Sequence, residues 1–148
     1  MKLVTFLFLS LLSMLAVAAE GLIIVDSPYS VDETTDRLEK GVEEAGFTIA
    51  VRWNHGKGAE RVGLELRPEQ LLIFGKPKAG TLLMQSSPTA GIDLPMKYLV
   101  WEDAQGQVHV AWNDPAWIAA RHGITDRAGL VQKMQGALRG LAEQALGR

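Results

Sequence analysis

The 148-residue chain contains no cysteine. Disulfide bonds are therefore excluded, although an exported protein would have the opportunity to form them. A lipoprotein is excluded as well, because no thiol stands near the N-terminus to receive a lipid. The folded domain must be held together by an ordinary hydrophobic core, and its length is sufficient to bury one without covalent cross-links.

An excess of positive charge is also missing. The chain has 15 lysine and arginine residues against 17 acidic ones, and its net charge is −2. Proteins that bind nucleic acid normally carry a basic excess or a basic stripe, so we expect no nucleic-acid partner. Repeats and low-complexity segments are absent too. This composition predicts one domain over residues 20–148.

Long hydrophobic runs are confined to the N-terminus. Lys2 precedes an apolar run over residues 3–15, and Ala16-Val17-Ala18 has the small residues of a cleavage site. This pattern predicts a secretory signal peptide over residues 1–19, cleaved after Ala18 or Ala19. The alternative is a retained anchor, but the run is short for a membrane span of about 20 residues. We expect a periplasmic or secreted protein with no stable membrane anchor after cleavage.

Catalytic and metal-binding signatures are missing as well. The sequence has no Gly-x-Ser-x-Gly elbow. Its three histidines, His55, His109 and His122, share no short spacing of the kind that metal sites use. We therefore predict no metal and no cofactor.

Periodicity predicts the fold class. Apolar or alternating runs indicate strands over residues 22–25, 47–53, 70–74, 96–102 and 107–112. A capping box at Ser30 and Glu33 opens a helix that should run to about Ala45. A short helix should follow the third strand, another should begin at Pro115, and a final helix should be capped by Thr125 or Asp126. The order predicts an α+β fold, with a mostly antiparallel sheet and helices packed on one face.

Finer expectations concern the positions of the strands. The continuous apolar run 22–25 predicts a strand that is buried on both faces or central in the sheet, with the second strand beside it or next but one. Alternation places Phe47, Ile49, Val51 and Trp53 on one face of the second strand. Residues 54–59 should be a loop, and a turn or two of helix should form between Ala59 and Leu66. In the final helix, the glycines at 129, 136 and 140 should approach the sheet closely.

Several segments resemble a known family. They are His55 followed by Ala59, the run 73–81 (IFGKPKAGT), the step 93–97 (DLPMK) and the tail 112–115 (WNDP). They are similar to the family catalogued as domain of unknown function 302, from the first strand to about Ile124. The resemblance implies a β-α-β-β-β-β-α fold like that of the TATA-binding protein, and no agreed activity. Two positions depart from the family pattern: Lys76 replaces the usual asparagine, and Asn54 replaces the acidic residue before the histidine.

A candidate site surrounds the turn from Gly75 to Thr81. Free amides at the start of a helix, together with Lys76 and Lys78, can gather around an anion. Thr81 stands where a Walker A loop requires lysine, so the turn is not a nucleotide loop. The plainer interpretation is a tight strand-to-helix turn with solvated lysines.

Two further polar residues are candidates for the same site. Asp93 precedes Leu94-Pro95 and either bonds the amides of its own turn or pairs with His55 or Lys76 at a pocket. His55 either acts as a base or ligand near neutral pH, or hydrogen-bonds a loop carbonyl. The candidate ligand-binding set is therefore Lys76, Lys78, Thr81, Asp93 and His55.

Three functions remain open from the sequence. The leading hypothesis is a non-enzymatic exported domain that binds a small anionic or amphipathic ligand at this set of residues. The second is a hydrolase-like enzyme that uses His55 and Asp93. The third is a structural homodimer formed through a sheet edge or through the hairpin that carries Tyr98 and Trp101, because those two side chains should face opposite ways.

Overall fold

The computed structural model describes residues 19–148, so the predicted signal peptide lies outside the described residues except for Ala19. The strands are β1 (Leu22–Ser27), β2 (Thr48–Asn54), β3 (Glu69–Gly75), β4 (Met96–Glu102) and β5 (Val108–Asn113). The helices are α1 (Val31–Glu44), α2 (His55–Arg61), α3 (Pro77–Ser86), α4 (Pro115–Arg121) and α5 (Ala128–Ala145), with a 3₁₀ turn at Pro88–Ile92. Within residues 19–148, no helix is both long enough and apolar enough to cross a membrane.

The five strands form one antiparallel sheet in the order β1-β5-β4-β3-β2. The predicted α+β class, with an antiparallel sheet and helices on one face, is confirmed. Two predictions about strand position are wrong: β1 is an edge strand, and β2 lies at the opposite edge. Helix α1 carries the chain across the full width of the sheet. The edge position leaves Ile24 41% exposed despite its apolar neighbours.

Helix α1 begins as the capping signal predicts. The Ser30 hydroxyl accepts a hydrogen bond from the amide of Glu33 at 3.2 Å. The carboxylate of Glu33 accepts from Arg37 Nε instead, one turn along the helix. The chain leaves the helix through Gly46, whose φ of +72° favours glycine.

Helices α1 and α5 bury the core against one face of the sheet. Tyr98 is fully buried at the centre, and its hydroxyl donates to the carbonyl oxygen of Leu138 at 2.5 Å. Phe74 and Trp112 pack on either side of its ring at 4.9 and 5.6 Å between centroids. The other residue of the predicted pair, Trp101, lies on the opposite face.

Helix α5 departs from two predictions. It begins at Ala128 after Arg127, with no side-chain cap, and not at Thr125 or Asp126. Asp126 instead accepts a hydrogen bond from the Ser86 hydroxyl at 2.9 Å. The glycines at 129, 136 and 140 are exposed, and a Cβ added to any of them would meet nothing within 4 Å. The predicted close approach to the sheet is therefore wrong.

A β-bulge reverses the faces of β2. Ile49 pairs with Phe74 and Val51 pairs with Ile73, so Ala50 is left without a partner. Because of this extra residue, the side chains that follow it point to the opposite face from the one that simple alternation predicts. Val51 and Trp53 consequently face away from the helices, and the predicted common face with Phe47 and Ile49 is wrong.

The bulge also places Arg52 on the helix side of the sheet. Its guanidinium donates to Asp36 at 2.5 Å and to Glu39 at 3.0 Å, both on α1. It also donates to the side-chain oxygen of the buried Gln70 at 2.7 Å. Gln70 in turn donates to Asp32, so this network joins α1 to β2 and β3.

The segment after β2 also differs from expectation. Helix α2 begins at His55, where a loop was predicted, because the side chain of Asn54 accepts from the amide of Lys57 at 2.8 Å. The helix ends at Arg61 and does not reach Leu66.

Candidate functional site

A cavity of about 750 Å³ opens at the end of the sheet where β3 finishes. Its walls come from four places: the start of β2, the turn and first part of α3, the corner before β4, and one side of α5. The lining residues are Phe47, Thr48, Ala50, Gly75, Lys76, Pro77, Ala79, Gly80, Thr81, Met84, Leu94, Pro95, Met96, Leu130, Lys133, Met134, Ala137 and Leu138.

Two proline-bearing corners of the chain, Lys76-Pro77 after β3 and Leu94-Pro95 before β4, meet in the wall of this cavity. Gly75 lies so close to the second corner that an added Cβ would be 3.2 Å from Cβ of Pro95. A Cβ added to Gly80 would likewise lie 3.9 Å from Cδ1 of Leu94. A side chain at position 75 would therefore be crowded by Pro95, and glycine avoids that crowding.

The cavity is apolar with cations at its margin. Most lining side chains are aliphatic, methionine or aromatic, whereas Lys76 and Lys133 are the charged residues among those described in its wall. Lys76 Nζ lies 4.4 Å from the centroid of the Phe47 ring, an arrangement typical of a cation–π contact. Within residues 19–148 neither lysine forms an ion pair with a carboxylate.

The amides at the start of α3 contribute less than the sequence suggests. The amides of Ala79 and Gly80 both donate to the carbonyl oxygen of Lys76, at 3.0 and 3.2 Å. Pro77 has no N–H to offer. The turn therefore presents cations and not a cradle of free amides, and the positive charge at the cavity comes from lysine side chains.

The predicted site residues separate into two groups. Lys76 and Thr81 line the cavity, and their role in binding stays a prediction. Lys78 is exposed and points outside the wall, although it is two residues from Lys76. His55 follows β2 at the end of the sheet opposite to the cavity, so the structure does not bring it together with Asp93 or Lys76.

Asp93 has a different set of partners. One carboxylate oxygen lies 2.6 Å from His122 Nε2, and the other accepts from Arg121 at 3.2 Å. The second ring nitrogen of His122 lies 2.9 Å from the hydroxyl of Thr89. This chain of contacts joins the 3₁₀ turn and the corner before β4 to the end of α4. The next two residues, Leu94 and Pro95, line the cavity, whereas Asp93 does not.

Another polar cluster surrounds His109 on the face of the sheet away from α1 and α5. Its ring nitrogens lie 2.9 Å from Asp26 and 2.8 Å from Asp103. The hydrogen bond to Asp103 and, after it, the one to Asp26 raise the pKa of His109, against the opposing effect of partial burial. In the part of the chain that the structure describes, no group of three or more potential ligands could hold a metal ion.

Sequence reasoning missed the contribution of α5 to the cavity. Leu130, Lys133 and Met134 line the cavity, and none of them was predicted as a site residue. The sequence does contain a signal for a cavity here. Lys133 adjoins Met134, and nearby positions of the same helix are glycine and alanine. The pairing of Asp93 with His122 had no local signal, because 29 residues separate them.

Comparison with known proteins places this geometry in a family. The profile of the family described as Domain of unknown function DUF302 matches residues 23–141. The crystal structure of an uncharacterized conserved DUF302 protein from Bacillus stearothermophilus superposes with a TM-score of 0.75 at 19% identity. The superposition covers 86% of this chain and 99% of that one, which shows a shared fold.

Longer relatives contain a similar region. A Brucella suis protein named fluoride-specific ion channel FluC 1 is 44% identical over 111 residues, which is 75% of this chain and 44% of that protein. A Brucella abortus protein of the same name is also 44% identical, over 41% of its length. The chain thus spans less than half the length of these curated relatives.

Proposed function

This chain belongs to the family described as Domain of unknown function DUF302, and from the geometry of its cavity we propose that it is an exported, non-enzymatic domain that binds a small amphipathic anion. The observation that carries the proposal is the combination of an apolar cavity with two lysines and no carboxylate among its described lining residues. The export and the periplasmic or secreted location rest on the N-terminal sequence.

The size of the cavity supports a small-molecule ligand. Its volume of about 750 Å³ lies within the range of roughly 300–1,000 Å³ that is usual for ligand pockets. Apolar walls formed by Met84, Leu94, Leu130 and Met134 favour a hydrocarbon body. Lys76 and Lys133 favour a negative head group.

The hydrolase alternative has weaker support. An acid–base pair needs both groups within hydrogen-bond reach of one substrate position. Asp93 is bonded to His122 and Arg121, and His55 lies beyond the far end of the strands. We therefore place neither residue in the binding cavity.

Calorimetric titration of the purified protein with decanoate, and with decanol as the uncharged counterpart, tests the proposal. We expect decanoate to bind more tightly than decanol. Lys76→Glu and Lys133→Glu should each weaken the binding of decanoate by about tenfold, which is about 1.4 kcal/mol, and leave the binding of decanol nearly unchanged. Lys78→Glu is the matched control, because it makes the same charge change two residues from Lys76 but outside the cavity wall.

A filling variant tests the location separately from the charge. Ala137→Trp should abolish binding of both compounds, because Ala137 lines the cavity, whereas Gln132→Trp on the exposed side of α5 should not. The proposal fails if the wild-type protein binds neither compound. It also fails if Lys78→Glu weakens decanoate as much as Lys76→Glu does, since that would indicate general attraction to the surface.

A further inference from the structure

The face of the sheet opposite to α1 and α5 carries a continuous apolar row. The strand register places one residue from each strand side by side across it: Ile24, Ala111, Leu99, Leu71 and Trp53. We call this face the open face. Val51 and Ile73 add two more apolar side chains beside the row. The sheet is thus apolar on both sides, although α1 and α5 cover only one.

Such a face is unusual for a sheet that meets water. An antiparallel sheet with one solvated face normally alternates apolar residues inward with polar residues outward. Here Trp53 is 53% exposed, Ile24 is 41% exposed and Val51 is 39% exposed. Ala111 is only 1% exposed, so the accessible apolar surface comes from the other members of the row and from Val51. An exposed apolar surface of this extent is typical of an interaction site.

The charges on the open face are arranged asymmetrically about the apolar row. On the side toward the β4–β5 hairpin loop, Asp26, His109, Trp101 and Glu69 stand side by side on four neighbouring strands. On the other side of the row stands Lys97, beside Ile73. Its amine is fixed there by the carbonyl oxygens of Asp93 and Pro95, at 2.9 and 2.8 Å. The first border therefore holds two carboxylates, whereas the second holds the amine of Lys97 with the Asp93 carboxylate near it.

We propose that the open face binds the open face of a second copy of this chain, about a two-fold axis that runs along the apolar row. This axis lays each apolar row on its counterpart and exchanges the two borders. Lys97 of one copy then faces the border that holds Trp101 and Glu69 of the other. A two-fold axis parallel to the strands would instead place like borders together. The charge pattern selects the first arrangement.

The dimensions of the face fit a partner of this size. Five strands spaced by about 4.8 Å, with six or seven residues rising about 3.3 Å each, give a flat area of roughly 500 Å². Side chains project from this flat area, so the accessible area is larger. It approaches the roughly 800 Å² that each partner contributes to a standard interface. Sheets that pack face to face lie about 10 Å apart with their strands within about 30° of one another.

Sedimentation equilibrium of the purified protein tests the proposal. We expect twice the chain mass for the wild type and the single mass for Trp53→Glu and for Leu99→Lys. Ile92→Lys is the matched control: Ile92 is 75% exposed but lies in the 3₁₀ turn, outside the strands that form the open face, so this variant should remain dimeric. Circular dichroism melting establishes that each variant is folded.

A charge exchange tests the direction of the axis. Glu69→Lys and Lys97→Glu should each weaken the dimer, and the double variant should recover at least part of the loss. The arrangement is overturned if the double variant weakens the dimer by as much as the two single variants together.

A measurement on the wild type alone covers the case in which variants fail to fold. Dilution through the dissociation range should raise the quenching of Trp53 and Trp101 by acrylamide. A wild-type monomer at all concentrations refutes the proposal. Binding of that monomer to phosphatidylcholine vesicles would assign the open face to a lipid surface instead.

Discussion

Replacing the glycines of α5 by alanine should make the protein more stable. Gly136 and Gly140 lie well inside the helix, are exposed, and have open space where a Cβ would be added. Alanine is preferred over glycine in a helix interior by about 0.8–1.0 kcal/mol, chiefly because glycine loses more backbone freedom on folding. No packing term opposes this gain, so each substitution should add about 1 kcal/mol. Gly129 lies in the first turn, where the gain should be smaller.

The expected effect is large enough to measure. Gly136→Ala and Gly140→Ala together should add about 2 kcal/mol to the free energy of unfolding. For a domain of this size, 1 kcal/mol corresponds to about 3–5 °C in Tm, so the double variant should melt about 6–10 °C higher. Urea denaturation should show a higher midpoint at unchanged m-value, because the surface exposed on unfolding hardly changes.

Gly46→Ala is the matched control. An added Cβ at Gly46 also meets nothing within 4 Å, but φ there is +72°. The left-handed conformation costs a residue with a Cβ about 1 kcal/mol or more, so this variant should be less stable than the wild type. The reasoning is refuted if the double variant gains nothing, or if Gly46→Ala is stabilised to a similar degree.

Two other predictions follow from buried or paired polar groups. Tyr98→Phe should lower the free energy of unfolding by about 1 kcal/mol, because it removes the buried bond to the carbonyl of Leu138; urea denaturation at neutral pH checks it. Bonds to Asp103 and Asp26 raise the pKa of His109, so its stabilising contribution is complete below the unfolded-state pKa of about 6.5 and is lost as pH rises through the higher folded-state value. The wild type should therefore lose more stability than His109→Gln between pH 6 and about pH 9 in urea titrations, and parallel pH profiles would contradict this assignment.

The sequence was informative where structure is determined locally. The cap at Ser30, the glycine after α1 and the proline at the start of α4 are signals within a few residues, and each element begins or ends close to the predicted place. The meeting of the two proline-bearing corners was also within reach, because β3 and β4 are antiparallel neighbours and both corners lie at the same end of them. Lys76 and Thr81 could be placed at the cavity for that reason.

The remaining features depend on contacts that alternation cannot specify. Alternation in β2 is unbroken in the sequence, but one unpaired residue at Ala50 turns Val51 and Trp53 to the open face. Arg52 explains this choice, since its guanidinium gains Asp36 and Glu39 on the helix side. The order of the strands is likewise a property of the whole fold. An apolar run alone does not distinguish a central strand from an edge strand whose outer face is also apolar.

The strand order has a consequence for how the protein is made. Ser27 at the end of β1 pairs with Val108 at the start of β5, and most of the chain separates the two. Because synthesis proceeds from the N-terminus, Leu22–Ser27 has no partner until the last third of the chain has appeared. During that interval an apolar strand is available for unwanted pairing. Closing so long a loop is slow, so β1 is expected to join the sheet late in folding.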